Sequence, residues 1–266
     1  MTRKRTPKWL VAASQHPGGL PRGEKPDWIS RVLTRAGALA PDQLEAALAA
    51  GRATVNGKPA REPLTLVRQT DTVLLDGAPV PFRPGTQVLM LHKLGNTICT
   101  VRDPDGHRTV FELLLPQLPV ELSRFGWHCV GRLDLDTTGL LLFTNDERFV
   151  GHATAPASHL PKRYLATVQG EPTEEKLQPL RDGMTLHDGP TRPALARVRG
   201  PAQVELTVSE GRNHQVKRML GGVGLPVKSL HREAVGGLVL DVAPGAFRAL
   251  SLEEIRGALQ FQDARG

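Results

Sequence analysis

Three stretches of the 266-residue chain carry residue types that could do chemistry. In "GRLDLDTTGLLLFTND" (131–146), Arg132, Asp134 and Asp136 alternate with Leu133 and Leu135 and lead into the apolar run 140–143. Read as a strand, that alternation sends the three charged groups to one face and the leucines to the other. A carboxylate beside a buried run is either an exposed edge or a working site, where an ionised group serves as nucleophile or general base. In "SEGRNHQVKRML" (209–220), the spacing predicts a helix from His214, capped by Asn213 or the turn before it. Val216 and Leu220 then share one face, while His214, Lys217 and Arg218 point to another. Alone, such a helix is a solvated basic surface; its functional alternative is a cationic face that meets a carboxylate or a phosphate. "LPKRYLATV" sets Tyr164, the only tyrosine, at a strand start after Lys162 and Arg163. A strand aromatic is ordinarily core, but next to two cations it can also stack on a base whose phosphates they hold.

The elements that must position these groups follow from periodicity. Strands are expected in "QVLMLHK", "GLLLF", "RYLATV", "AQVELTV" and "GLVL", and helices in "TEEKLQPLRDG", "NHQVKRML" and "SLEEIRGAL". They alternate irregularly, with no strict βαβ repeat and no glycine-rich nucleotide fingerprint, which predicts an α+β fold with a largely antiparallel sheet over 88–266. Upstream, Ile29, Val32, Leu33 and Ala36 recur at helical spacing, and a second short helix is expected from Pro41 to Gly51. An Asn56-Gly57 hairpin turn and a strand ended by Asp76-Gly77 complete a small helix-pair and hairpin domain over 27–77. A compact module of this kind with Arg31 and Arg35 on its first helix reads as a binding domain. Pro79, Pro81 and Pro84 suggest a semi-rigid linker over 78–87. Residues 1–26, with Arg3, Lys4, Arg5, Lys8, Arg22 and Lys25 against Glu24 alone, read as a basic, disordered extension open to phosphates.

Composition narrows the function class. No apolar run approaches the ~20 residues of a membrane span, and "WLVAA" is short for a secretory core, although the arginine-rich start weakly resembles an organelle transit peptide. Cys99 and Cys129 lack the spacing of a zinc site or a disulfide framework, which favours a reducing cytosol and argues against a structural metal. The net charge of +7, from 34 Lys and Arg against 27 Asp and Glu, fits a polyanionic partner or simple solubility.

In this order and spacing, the three stretches resemble the pseudouridine synthases, and among them the RsuA family that modifies ribosomal RNA. "GRLDxxTxGLLLxTND" is similar to that family's catalytic motif, "KRYxxTV" to its tyrosine-bearing strand, and "EGRNHQVKRML" to its third motif. "LHRE" (230–233) and "APGAFRALSLEEI" fit its C-terminal end, so the resemblance covers roughly 85–260. It implies that Asp134 is the catalytic nucleophile or base and that Asp136 sits where the family is less strict. It further implies that Tyr164 stacks on the target uracil, that Lys217 pairs with the catalytic aspartate, and that Arg132 organises the site or the backbone of the nucleotide. Lys162, Arg163, Arg212 and Arg218 become candidate RNA contacts.

The small domain resembles the RNA-binding domain shared with ribosomal small-subunit protein S-four, with Arg31, Arg35, Arg52 and Lys58 as candidate contacts. That domain's usual second-helix start, a Ser-Arg-Arg followed by Glu-Ala, is replaced here by Ala40-Pro41-Asp42-Gln43, which removes two cations.

The implied reaction breaks the glycosidic bond of a uridine, turns the freed uracil in its pocket and rejoins it through C5. It needs an ionised carboxylate, a stacking wall and exclusion of water, with no metal or organic cofactor. The target nucleotide must be flipped out of the RNA, at a cost of a few kcal/mol that phosphate contacts offset. The expected partner is ribosomal RNA or an assembling subunit, met by a cytoplasmic monomer with no membrane association. "HQVKRM" and "LHRE" favour small-subunit (16S) RNA as target. The alternatives are large-subunit (23S) RNA or tRNA, an RNA-binding assembly factor without activity, and a metal-dependent nuclease built on Asp134 and Asp136.

Overall fold

A computed structural model describes residues 26–262. The basic extension expected over 1–26 therefore lies, but for Pro26, outside the described residues. The described chain forms two compact units: residues 26–86 together with Gln117–His128, and Gln87–Pro116 together with residues 129–262.

The smaller unit contains helices α1 (Ile29–Arg35) and α2 (Leu44–Ala49) and a four-stranded antiparallel sheet. Its strands are β1 (Ala53–Val55), β2 (Lys58–Pro59), β3 (Val73–Leu75) and β4 (Ala78–Pro79), in the order β2-β1-β3-β4. Ile29, Val32 and Leu33, the residues at helical spacing, are fully buried against Leu44 and Leu48. Asn56 and Gly57 both have positive φ, 51° and 77°, as the primed turn of a tight hairpin requires. Asp76 and Gly77 repeat that geometry at 50° and 81° and turn the chain into β4. The stretch read as a linker therefore begins as an edge strand, a position that tolerates Pro79 because its missing N–H faces no partner. Residues 117–128 also belong to this unit, where the Gly126 amide donates to Thr34 O at 2.9 Å.

The larger unit is built on one long sheet. Its strands are β5 (Val88–Lys93), β6 (Thr138–Thr144), β7 (Lys162–Val168), β8 (Leu195–Gly200), β9 (Gln203–Val208), β10 (Val227–Val235) and β11 (Phe247–Ala249). They run in the order β8-β9-β7-β10-β6-β5-β11, and within that run only β6 and β10 pair parallel. Helices α3 (Glu147–Thr154), α4 (Glu174–Asp182), α5 (Gln215–Gly222) and α6 (Leu252–Gly257) complete two apolar clusters. One joins α3 and α6 to Met90, Leu140 and Leu142; the other joins α4 and α5 to Ala166, Val204 and Leu206. This is the α+β class with the largely antiparallel sheet that the pattern predicts. No helix among the described residues is long and apolar enough to cross a membrane.

Two local expectations are corrected. Residues 131–137 are a turn-containing loop, and the strand begins at Thr138. The Thr137 amide donates to Asp134 O at 3.1 Å, closing a turn in place of a ladder. The strict alternation is lost with it: Leu133 is buried while Leu135 is 36 % exposed. The longest of these strands, β10, was not anticipated, because its inward positions are Leu230, Arg232 and Ala234, and a buried arginine breaks an apolar pattern. The β6–β10 contact explains Gly139. With φ at 106°, a Cβ there would stand 2.3 Å from Arg232 O, so only glycine admits the neighbouring backbone.

Candidate active site

The loop that carries Asp134 is fixed from below. Lys93 ends β5 on the same alternation as Leu89 and Leu91, and like them it is fully buried. Its ammonium donates to Leu94 O at 2.9 Å, Leu135 O at 3.2 Å and Thr137 O at 2.7 Å. The lysine thus ties two loop carbonyls to the end of β5. Burial pushes its pKa down, opposed by Cys99, Asp136 and Asp134. Sequence reasoning missed Lys93 by treating it as the end of a core strand, although a lysine in an inward position of an apolar alternation is itself a signal.

The resulting loop presents Asp134 to a cavity of about 600 Å³, also lined by Arg132, Lys162, Tyr164, His214 and Arg232. On the facing segment, His214 adopts a left-handed conformation, φ 49°, and no side chain caps α5, which corrects the expected Asn213 cap. That bend brings His214 Nδ1 to 3.3 Å from Asp134 Oδ2. Lys217, on the first turn of α5, reaches the same oxygen at 3.2 Å and the two oxygens of Asp136 at 2.6 and 2.9 Å. Lys217 thus bridges both carboxylates. Its hydrogen bond holds the Asp136 carboxyl below the usual carboxylate range. Burial works against the lysine's own charge, but Asp136 and Asp134 together outweigh it and keep its pKa above the ordinary lysine value.

β7 supplies the aromatic wall. Lys162 and Tyr164 lie two residues apart on the strand and both line the cavity, whereas Arg163 points the other way and meets Glu233 at 3.3 Å. Burial, and then the nearby Arg232, push the Lys162 pKa down, and among the described residues its ammonium has no carboxylate partner. Arg232 is buried, donates from Nε to Leu140 O at 2.7 Å, and sets Nη1 3.5 Å from the Tyr164 hydroxyl. Its place in the site went unread, since "LHRE" served only as a mark of resemblance. Arg132 is exposed at the cavity edge.

Arg212 and Arg218 do not join Lys217 on the carboxylates. Both converge on Asp188, in the hairpin formed by Thr185–Leu186 and Gly189–Pro190. Arg218 donates from Nη1 at 2.8 Å and Nη2 at 3.0 Å, and Arg212 from Nε at 3.2 Å as well as from Nη2. Arg218 and then Arg212 hold the Asp188 carboxyl far below its usual range. The cations of the smaller unit divide in the same manner. Arg35 pairs with Asp27 at 2.7 Å and donates to Phe82 O at 2.8 Å, and Arg31 lies over the Trp28 ring at 4.7 Å. Arg52 meets Asp76 at 2.6 Å, while Lys58 is exposed at the hairpin.

This geometry suits carboxylate chemistry on a flat, enclosed substrate. A two-carboxylate metal site would need the space between Asp134 and Asp136, and the Lys217 ammonium already bridges them. Comparison with known proteins agrees. The family described as RNA pseudouridylate synthase matches residues 87–221. Ribosomal small subunit pseudouridine synthase A of Escherichia coli (strain K12) is 40 % identical over 208 residues, spanning 77 % of this chain and 87 % of the relative. Ribosomal large subunit pseudouridine synthase B of Vibrio cholerae serotype O1 is 35 % identical over 237 residues, 85 % of this chain and 72 % of the relative. A crystal structure of a pseudouridylate synthase, 30 % identical, superposes with a TM-score of 0.59 over 86 % of this chain and 98 % of that one. A cavity that gathers Asp134 and Tyr164, with Lys217 bonded to Asp134 from α5, inside a sequence matched at this identity over most of its length, identifies the chain as a member of the RNA pseudouridylate synthases, in their RsuA family.

Proposed function

We propose that this enzyme converts one uridine of small-subunit (16S) ribosomal RNA to pseudouridine, with Asp134 as the reacting carboxylate. The observation that carries this reading is the placement of Asp134 in the cavity lined by Tyr164, with Lys217 at 3.2 Å and His214 at 3.3 Å from one of its oxygens. Asp134 attacks the flipped nucleotide or takes a proton from its sugar, while the second carboxylate, Asp136, helps to hold Lys217. Tyr164 stacks on the uracil, and the walls keep water from the detached base. Arg132 at the edge and Lys162 within the cavity are cations offered to the nucleotide's phosphates.

The 40 % identity to an enzyme named for the small subunit supports the 16S target, and the 35 % identity to one named for the large subunit supplies the rival. The smaller unit captures RNA, and the enzyme works as a cytoplasmic monomer. The test is to incubate the purified protein, in EDTA, with separate small- and large-subunit RNAs, naked and protein-bound, and to map carbodiimide-dependent reverse-transcription stops. A single new stop in 16S RNA, lost in Asp134→Asn, is the expected result. A stop in 23S RNA keeps the chemistry and overturns the target; activity that disappears only in EDTA overturns the metal-free mechanism.

A further inference from the structure

The only two cysteines of the chain are not used by the reaction, yet the fold brings them together under the catalytic loop. Cys99 follows the short strand Thr97–Ile98, and Cys129 lies within His128–Val130; both are free thiols. The Cys129 thiol donates its one hydrogen to Gly131 O at 3.2 Å. Cys99 Sγ accepts in turn from the Leu133 amide at 3.3 Å. The pair therefore holds the backbone on both sides of Arg132, one residue short of Asp134. Cys99 also lines the cavity, so a small oxidant can reach it.

Their protonation differs. The neighbouring Cys129 thiol, helped by the Leu133 amide, Lys93 and Arg232 against burial, brings the Cys99 thiol down to about 7. Its nearness to Cys99 and its own burial push Cys129 well above the ordinary thiol value. One member is thus a ready thiolate and the other a reserve thiol, the division that thiol oxidation followed by resolution requires.

We propose that Cys99 and Cys129 form a modification site, a dithiol that hydrogen peroxide closes to a disulfide and that thereby disarms the enzyme. The Cys99 thiolate attacks one peroxide oxygen, the O–O bond breaks, and Cys99 becomes a sulfenic acid while hydroxide leaves and takes up a proton. The Cys129 thiol then condenses with it: the S–S bond forms, the S–O bond breaks and water leaves. Peroxide is reduced to two waters as the two thiols are oxidised, and a dithiol reductant reverses the step. An S–S bond of about 2.0 Å replaces the thiol contact, removes the hydrogen that Cys129 gives to Gly131 O, and draws Cys99 from the Leu133 amide. Displacing a reacting group by about 1 Å costs on the order of 10²-fold in rate.

The activity arm of this inference rests on the proposed role of Asp134; the chemical arm does not. Full-length protein is treated with peroxide, its remaining thiols are alkylated and its intact mass is read, with pseudouridine formation followed in parallel. Expected are joint loss of both thiols, a mass lower by two hydrogens, a fall in activity of about 10²-fold and its return with dithiothreitol. The Cys99→Ser/Cys129→Ser variant, referred to its own untreated activity, should resist peroxide. Thiols that stay alkylatable, a sulfenate on Cys99 that never resolves, or a disulfide that leaves activity unchanged would overturn the inference. The mass and thiol readouts on the wild type need neither a variant nor a working substrate, so a mistaken substrate would leave them legible.

Discussion

Lys217 lies nearer to Asp136 than to the carboxylate it is expected to serve, at 2.6 Å from Asp136 Oδ1 against 3.2 Å from Asp134 Oδ2. The two aspartates differ in setting: the Asp134 side chain is 26 % exposed and the Asp136 side chain 66 %. Asp136 thus acts as an outer tether that steers the ammonium, and Asp134 faces the cavity. Replacing Asp134 by Asn at nearly constant shape should lower isomerisation by roughly 10³-fold or more with RNA affinity kept. Asp136→Asn should cost less than about tenfold, because Lys217 keeps its contact with Asp134. Single-turnover rates and filter binding on both variants decide the assignment, and two equally inactive enzymes would sink it.

Lys93 offers a sharper structural test. Of its three carbonyl partners, Leu94 O keeps a second donor in the Thr97 hydroxyl at 2.5 Å, but Leu135 O and Thr137 O lose the ammonium at a site closed to water. Lys93→Met fills the same volume but strands those acceptors, so stability should fall by about 2–4 kcal/mol. The freed 134–137 segment should lower kcat severalfold among the molecules that remain folded. Urea unfolding gives the first quantity and turnover at low temperature the second. A variant as stable as the wild type would mean that the carbonyls find other donors.

The contrast between Lys93 and Lys217 shows what the sequence could reveal. Lys217 was legible because it stands in a local pattern: a helix after a turn, with apolar residues on one side and cations on another. Tyr164 was legible for a similar reason, as an aromatic on a strand beside Lys162. Both patterns need only the periodicity of one element. Lys93 and Arg232 act through partners far along the chain, Thr137 and Leu140 respectively, and no local period encodes those pairings. Asp188 is the third case. Nothing near it in the sequence shows that Arg212 and Arg218 turn to it instead of to RNA, and the same lack of long-range information hid the return of residues 117–128 to the smaller unit.

In the smaller unit, burial separates structural cations from those open to a phosphate. Arg35 is committed to Asp27 and to a backbone carbonyl, whereas Lys58 is exposed at the Asn56-Gly57 hairpin. Lys58→Ala should weaken RNA binding uniformly across sequences and reduce the log–log salt slope by about 1, with Tm unchanged. Arg35→Ala should instead lower Tm, since it leaves the buried Asp27 carboxylate without its closest cation. Titrations at several salt concentrations distinguish the two, and a slope unaffected by Lys58→Ala would remove that hairpin from the RNA contact.

Asp188 fixes the far side of the segment that delivers His214 and Lys217. It receives both guanidinium groups, and Arg218, which bonds it through Nη1 and Nη2, has its Nε buried with no hydrogen-bond partner. Asp188→Asn keeps the shape but leaves Arg212 and Arg218 facing each other without a counter-charge. The variant should bind RNA more tightly and with a steeper salt dependence, because two cations are released, while kcat falls severalfold as the start of α5 loosens. Its Tm should be lower than that of the wild type at pH 7. The pH dependence of this difference has a definite sign. A carboxyl whose folded pKa is depressed contributes stability above its unfolded value, about 3.9, and loses that contribution as the pH falls towards the folded value. The gap in Tm between wild type and Asp188→Asn should therefore be full at pH 7 and narrow below about pH 4. Thermal unfolding of both proteins at pH 7 and pH 3 measures it. A gap of equal size at the two pH values would show that the clamp depends on hydrogen-bond shape and not on charge, and the expected gain in RNA affinity would fall with it.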